Sequence, residues 1–209
     1  MQQDNEAALT IDPKKTALLM MHWQHDIVSP GFKHAGNKPE RIAEANNIEH
    51  AQAVLKASRE KGMLIAYVNA VHGPGYPEFP HVLTPMSRKI VEDEALVRGT
   101  VGVEVIDQLK PLDNEAIIEN FNPSAFIGTR LDIILRSNGI TTLVISGMST
   151  NWVVETSARD AACLGYFVYT LKDCCNSPTE EMHNWPMINI LPRLGAVIDS
   201  KAYIAALQR

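Results

Sequence analysis

Apolar residues fall along this chain in short blocks separated by polar or glycine-rich stretches. Residues 16–21 (TALLMM) form one block, closed by the polar cluster His22-Trp23-Gln24-His25-Asp26. Short apolar runs bounded in this way predict buried strands. The same pattern predicts strands over 63–69 (MLIAYVN), 115–119 (EAIIE), 141–146 (TTLVIS), 167–171 (FVYTL) and 196–199. Over 41–61 the period changes: Ile42, Ala45, Ile48, Ala51, Val54, Leu55 and Ser58 recur every three or four residues. That spacing predicts one amphipathic helix, stopped by Gly62. Further helices are predicted over 131–137, ending near Asn138-Gly139, and over 151–164, with Ser149 or Thr150 as N-cap and Gly165 as the stop. A helix over 179–191 opens at Ser177-Pro178-Thr179. Residues 71–85 (VHGPGYPEFPHVLTP) fit neither period and read as a loop. A long irregular loop inside a compact domain is usually functional.

Strands alternating with helices predict a three-layer α/β/α architecture, with a six-stranded parallel sheet covered on both faces and right-handed crossovers. In such sheets the ligand site lies at the carboxyl ends of the strands, where the strand order switches. The segments to inspect are therefore 22–26, the loop from Asn69, 120–126, 147–153 and 173–176.

Length and composition narrow this picture. With 209 residues the chain makes one domain over 16–209, after a polar leader over 1–15. Hydrophobic residues at 45% and charged residues at 21% exclude a disordered chain. No apolar run reaches the ~18–20 residues of a membrane span. The start, MQQDNEAALTIDPKK, has no basic segment followed by an apolar one, so no secretory signal is expected. A net charge of -5 argues against nucleic acid as a partner. Three cysteines, two of them adjacent, make no disulfide framework and point to a reducing compartment, the cytoplasm.

The strand ends carry the candidate chemistry. His22 is a candidate acid or base. His25, three residues on, makes no metal site with it, for neither sits in a ligand pattern. The turn Gly147-Met148-Ser149-Thr150-Asn151 opens a helix, where exposed amides hold an anion or a developing oxyanion. It lacks the glycines and lysine of a phosphate loop, and Ser149 and Thr150 read as caps. Cys174 and Cys175 have no adjacent base and read as small buried residues, and Cys163 reads as core. His72 and His81 read as solvated loop histidines, whose spacing matches no metal motif.

Four stretches carry a family resemblance: ALLMMHWQHDIVSPGF, ENFNPSAFIGTRLDIILRSNGITTLVISGMSTN, VVETSARDAACLGYFVYTLKDCCNS and GAVIDS. With these the chain resembles the isochorismatase-like hydrolases, or cysteine hydrolase superfamily, which includes nicotinamidases, carbamoylsarcosine-type amidases and isochorismatases. The resemblance implies a small-molecule substrate, no cofactor, no metal and a homo-oligomer, dimer or tetramer. It also implies a triad of aspartate, lysine and cysteine. Matched to this sequence, those positions hold His22, Asn120 and Val153. Valine has no nucleophilic group, so thiol catalysis at that position is excluded. Asn120 can donate and accept hydrogen bonds but carries no charge. His22 alone keeps proton-transfer capacity. Ser124-Ala125-Phe126 and Gly128-Thr129 match the family's loop signature, and a cis peptide is implied between Met148 and Ser149. Isochorismatases, which react without a covalent thiol step, supply a precedent for acid-assisted hydrolysis of an enol ether.

Two functions follow. One is a hydrolase of a small carbonyl, amide or enol-ether metabolite, with His22 as acid or base, Asn120 orienting the substrate, and the amides of Ser149 and Val153 facing an anionic oxygen. Trp23, Gln24, Phe126, Ser149, Trp152 and Val153 would line its pocket. The other is a non-catalytic homologue that binds a small molecule. A flavodoxin-like nucleotide module would fit the sheet but lacks phosphate-loop glycines.

Overall fold

The computed structural model of the protein describes residues 11–208. Residues 1–10 of the expected polar leader lie outside the described residues; Ile11 is buried in the core. Six strands form one parallel sheet: β1 Thr16–Met21, β2 Leu64–Ala70, β3 Ala116–Asn120, β4 Thr142–Met148, β5 Phe167–Asn176 and β6 Gly195–Ile198. Their order is β3-β2-β1-β4-β5-β6. The chain runs outward from β1 to β3, returns beside β1 as β4, then runs outward the other way. The strand order thus switches between β1 and β4, where Met21 pairs with Gly147.

The helices, in chain order, are α1 His25–Val28, α2 Lys38–Glu44, α3 Asn47–Glu60, α4 Pro85–Glu92, α5 Leu131–Ser137, α6 Glu155–Cys163, α7 Glu180–Asn189 and α8 Ser200–Leu207. Strand alternation sorts β1 between two cores. Leu18 and Met20 join Ile42, Val54, Leu55, Tyr203 and Leu207 of α2, α3 and α8. Ala17, Leu19 and Met21 join Leu131, Leu135, Val154, Ala158 and Met187 on the opposite face. Both faces are covered, as the alternating pattern predicts. Among the described residues no helix is long and apolar enough to cross a membrane.

Several elements differ from expectation. The helix predicted over 41–61 is two helices, because Asn46 takes a left-handed conformation (φ 50°) between them. Asparagine tolerates that region better than most residues, and apolar periodicity carries no trace of it. The segment predicted as loop ends in α4, whose Pro85 occupies the first turn and whose Thr84 Oγ1 accepts from the Ser87 amide. The strand predicted over 167–171 continues to Asn176, through the polar pair Lys172-Asp173. Asp173 is satisfied from far along the chain, accepting from the Ser200 hydroxyl at 2.6 Å and its amide at 2.8 Å. Ser200 opens α8, which the sequence pattern leaves unassigned; Asp199 caps it by accepting from the Ala202 amide.

Candidate functional site

β1 delivers His22 to the switch in strand order. Its backbone is left-handed (φ 55°) and its amide donates to the Val68 carbonyl at 2.8 Å. Such a conformation costs a non-glycine residue roughly 1–2 kcal/mol, so the surrounding structure must hold it. Asn120 ends β3, on the far side of β2. Neighbouring strands lie about 4.8 Å apart, so only two side chains together can span from β1 to β3. His22 Nε2 and Asn120 Oδ1 meet at 3.1 Å.

Asn120 is fixed in turn. Its Nδ2 donates to the carbonyls of Asn122 (2.8 Å) and Ser124 (3.2 Å). Ser124 Oγ donates to Asp160 of α6 at 2.6 Å and accepts from the amides of Phe126 and Ile127. Ser157, also on α6, accepts from the Ala125 amide at 3.0 Å. The loop after β3 is therefore pinned to α6. Ser124 and its partner Asp160 support the site, although sequence reasoning gave neither a role.

The amide orientation of Asn120 determines the histidine tautomer. Both amide hydrogens go to carbonyls, so the oxygen faces His22 and Nε2 must be the protonated ring nitrogen. Nδ1 is left with a lone pair and has no hydrogen-bond partner among the described residues. Burial pushes the His22 pKa down from 6.5 to about 4, against the opposing hydrogen bond to Asn120; positive charge at His34 and His72 adds to the lowering. The ring is neutral across the physiological range.

The other expected site residues fall into distinct places. Trp23 is 0% exposed, and its indole donates to Ser146 Oγ at 3.2 Å. Gln24 is also fully buried: its amide nitrogen donates to the carbonyls of Ala70 and Val103, and its oxygen accepts from the Ala70 amide. Both side chains brace the sheet and present no surface to a ligand. Val153 and Phe126 are buried in one apolar cluster, Ser149 is half-buried and Trp152 is 41% exposed.

The Met148-Ser149 peptide is cis. Ser149, one of the two expected N-caps, occupies the N-cap position of the turn that follows, and Thr150 is the first residue of that turn. Thr150–Val154 is a π-helical turn with no side-chain cap, and Thr150 Oγ1 donates to the Asn176 carbonyl at 3.1 Å. The Ser149 carbonyl accepts from Trp152 (3.1 Å) and Val154 (3.3 Å).

The remaining candidates separate clearly. His25 stacks on Phe32 and meets Ser29 Oγ through Nδ1. His72, expected in solvent, is buried against Phe79 and Tyr76; its Nδ1 has no hydrogen-bond partner among the described residues and faces the Glu78 carboxylate at 3.9 Å. The long loop supplies that aromatic cover, which single-residue polarity does not reveal. His81 is exposed. Cys163, expected in the core, is exposed late in α6. Burial pushes the Cys174 thiol well up and Cys175 to about 12, so neither is a thiolate at neutral pH. No group of three or more metal-ligating side chains stands together among the described residues.

Buried neutral histidine has a consequence for stability. An unfolded His22 binds a proton near pH 6.5, whereas the folded one resists until about pH 4. Below pH 6.5 the unfolded state therefore gains protons that the folded state does not, and stability falls until the folded pKa is passed. Urea melts at pH 7.5 and 4.5 are expected to differ by on the order of 3 kcal/mol through this residue. His22→Asn, which tolerates the same backbone conformation, is expected to remove most of that difference.

Comparison with known proteins agrees with this fold. A family model for the isochorismatase domain matches residues 16–202. Ureidoacrylate amidohydrolase RutB of Acinetobacter baylyi is 32% identical over 214 residues, spanning 96% of this chain and 87% of that protein. A cysteine hydrolase from Pseudomonas syringae superposes with a TM-score of 0.83 at 22% identity, covering 96% of this chain and 95% of its own. An isochorismatase-like hydrolase from Alkaliphilus metalliredigens superposes with a TM-score of 0.74 at 27% identity, covering 92% and 98%.

Proposed function

This chain belongs to the isochorismatase family, and within it we propose a hydrolase that acts by direct attack of water, with His22 as general base. The observation that carries this reading is the His22–Asn120 pair. A neutral imidazole, held by a neutral amide through Nε2, offers Nδ1 to a water molecule. The same logic of an oriented histidine serves nucleophilic triads, where the third residue fixes tautomer and ring direction. Water oxygen bonds to the substrate carbonyl carbon as its proton passes to Nδ1. The negative oxygen faces the amides of Ser149 and Val153. Collapse breaks the bond to the leaving nitrogen or oxygen, which takes the proton back from His22.

This assignment narrows the substrate. Enol-ether hydrolysis needs a proton donor, and a group with a pKa of about 4 is almost wholly deprotonated at pH 7. Amides and esters suit a neutral base. The RutB relative is named for an amide-cleaving reaction, which supports the amide class. The test is hydrolysis of a panel of small amides, esters and enol ethers by wild type and by a Cys163→Ser protein treated with an alkylating reagent. Turnover that survives thiol blocking supports the proposal; turnover abolished by blocking, or confined to enol ethers, contradicts it.

One observation favours the second reading, a binding homologue without turnover: Asn120 and Val153 are fully buried and His22 is 6% exposed. Calorimetric binding of panel members with no hydrolysis of any would select it.

Val153 also bears on the thiol chemistry of the family. Introducing Val153→Cys in the Cys163→Ser background is expected to give a poorly reactive thiol. Burial disfavours the thiolate, Asn120 supplies no cation and His22 is neutral. Adding His22→Asp and Asn120→Lys is expected to raise the alkylation rate, read with iodoacetamide at pH 7.

A homo-oligomer, dimer or tetramer, is proposed on the same family footing. Met182 and Trp185 form an exposed apolar pair on α7, a candidate surface for it. A cytoplasmic location is proposed from the three free cysteines.

A further inference from the structure

Away from the β1–β4 crevice, a groove of about 550 Å³ lies over the carboxyl end of β5, between α7 and the junction of α2 with α3. That volume falls in the range of small-molecule sites. Buried Asn47, Cys175 and Asn176 line it. We propose that this groove binds a small monocarboxylate with an apolar tail, the carboxylate on Arg41 and the tail on Met187, Ile188 and Val197.

Most polar groups of the groove are already occupied. Asn176 Nδ2 donates to Asn47 Oδ1 (2.8 Å) and to the Arg41 carbonyl (3.1 Å). Asn47 Nδ2 donates to the Asp173 carbonyl at 2.8 Å. The two acids of the groove are engaged as well: Asp173 by the amide and hydroxyl of Ser200, Glu180 by Asn184. Lys172 faces Asp199 at 3.7 Å.

Arg41 differs. Its Nε donates to the Ser177 carbonyl at 2.8 Å and its Nη2 to Asn176 Oδ1 at 3.4 Å. These neutral acceptors fix the plane of the guanidinium but leave its charge unmatched. Among the described residues no carboxylate lies within ion-pair distance of it; Arg88, Arg130 and Arg193 also lack one but are exposed to water, whereas Arg41 is half-buried, and Arg59, Arg98, Arg136 and Arg159 each meet a carboxylate. Arg41 Nη1 has no hydrogen-bond partner among the described residues either, so the end-on edge of the guanidinium keeps donors to offer a ligand. That edge is the geometry a planar carboxylate takes, through two parallel hydrogen bonds. Beside it stand Met187, half-buried Val197 and Ile188, which is 71% exposed. An alkyl tail there would cover surface that otherwise faces water.

The groove also touches the candidate catalytic turn. His183, on its wall, bonds through Nδ1 to Thr150 Oγ1 at 2.8 Å. A carboxylate is also the expected product of amide hydrolysis, so the test must locate the ligand as well as detect it.

Hexanoate, hexan-1-ol and hexylamine are the probes, titrated into ¹⁵N-labelled protein. Saturable shifts from hexanoate, centred on the amides of 180–185, 187 and 188 and the Asn47 and Asn176 side chains, are expected. Both other probes are expected to bind about tenfold more weakly, the value of one charge-assisted contact of ~1.4 kcal/mol. Arg41→Gln is expected to weaken hexanoate by a similar factor, and Ile188→Ser to weaken it with Arg41 intact. Matching affinity for all three probes, no saturation by about 10 mM, or shifts centred on 22 and 120 would each overturn the proposal. Should Arg41→Gln unfold, the probe comparison and Ile188→Ser decide.

Discussion

Replacing His22 with alanine is expected to lower the hydrolytic rate by roughly 10²–10⁴-fold, the usual contribution of a positioned base. The imidazole is the proton acceptor of the proposed reaction, and Asn120 Oδ1 already holds its other nitrogen at 3.1 Å. Alanine at a left-handed position also loses some stability, so His22→Asn serves as the companion variant; it keeps the backbone and removes the base. Both are expected to lose rate with modest change in KM, since the base acts in the transition state. Asn120→Asp tests the same pair in the other direction. A carboxylate in contact with the ring favours imidazolium and raises the His22 pKa. The acid limb of the rate profile is then expected to move upward in pH. An unchanged rate in both His22 variants would remove the residue from the mechanism.

The largest effect on stability is expected from Trp23→Ala, at about 3–5 kcal/mol. Trp23 is 0% exposed and sits in the core formed with α2, α3 and α8. Its indole also anchors Ser146, whose hydroxyl donates to the Cys174 carbonyl at 3.1 Å. Truncation therefore removes packing and one partner of a chain that links β1, β4 and β5. Trp23→Phe is expected to recover most of the packing and lose the hydrogen bond, about 1 kcal/mol. Chemical denaturation of the two variants separates these contributions. If Trp23→Ala unfolds at the wild-type midpoint, the structural role assigned here is wrong.

Trp23 also illustrates what was legible in the sequence. The end of β1 and the whole of α5 could be placed from local pattern, because apolar blocks and glycine stops are local properties. The polar cluster that follows β1 could not be sorted the same way. Trp23, Gln24 and His22 are adjacent in sequence, yet their partners lie at Ser146, at Ala70 and Val103, and at Asn120. Only the folded chain tells a brace, such as Trp23 or Gln24, from a candidate reacting group. The same holds for β5, where Lys172 and Asp173 interrupt the apolar pattern while the strand continues. The break at Asn46 is a backbone property that side-chain periodicity does not register.

For the candidate site, the resemblance pointed to positions 22, 120 and 153, and the residues there, His22, Asn120 and Val153, were readable at once. The ring tautomer was not, because it depends on which carbonyls hold the Asn120 amide. Nor was the depressed His22 pKa, which follows from burial and from the approach of His34 and His72. The unmatched charge of Arg41 was likewise invisible, since Ser177 and Asn176 reach it from 136 and 135 residues away.

The most direct measurement is the pH dependence of kcat/KM for a hydrolysed amide, with initial rates corrected for folded fraction. A neutral base predicts activity that rises with pH through about 4 and then stays level through the neutral range, with the limb absent in His22→Asn. Activity that needs protonated His22, falling as pH rises through the histidine range, would contradict the account.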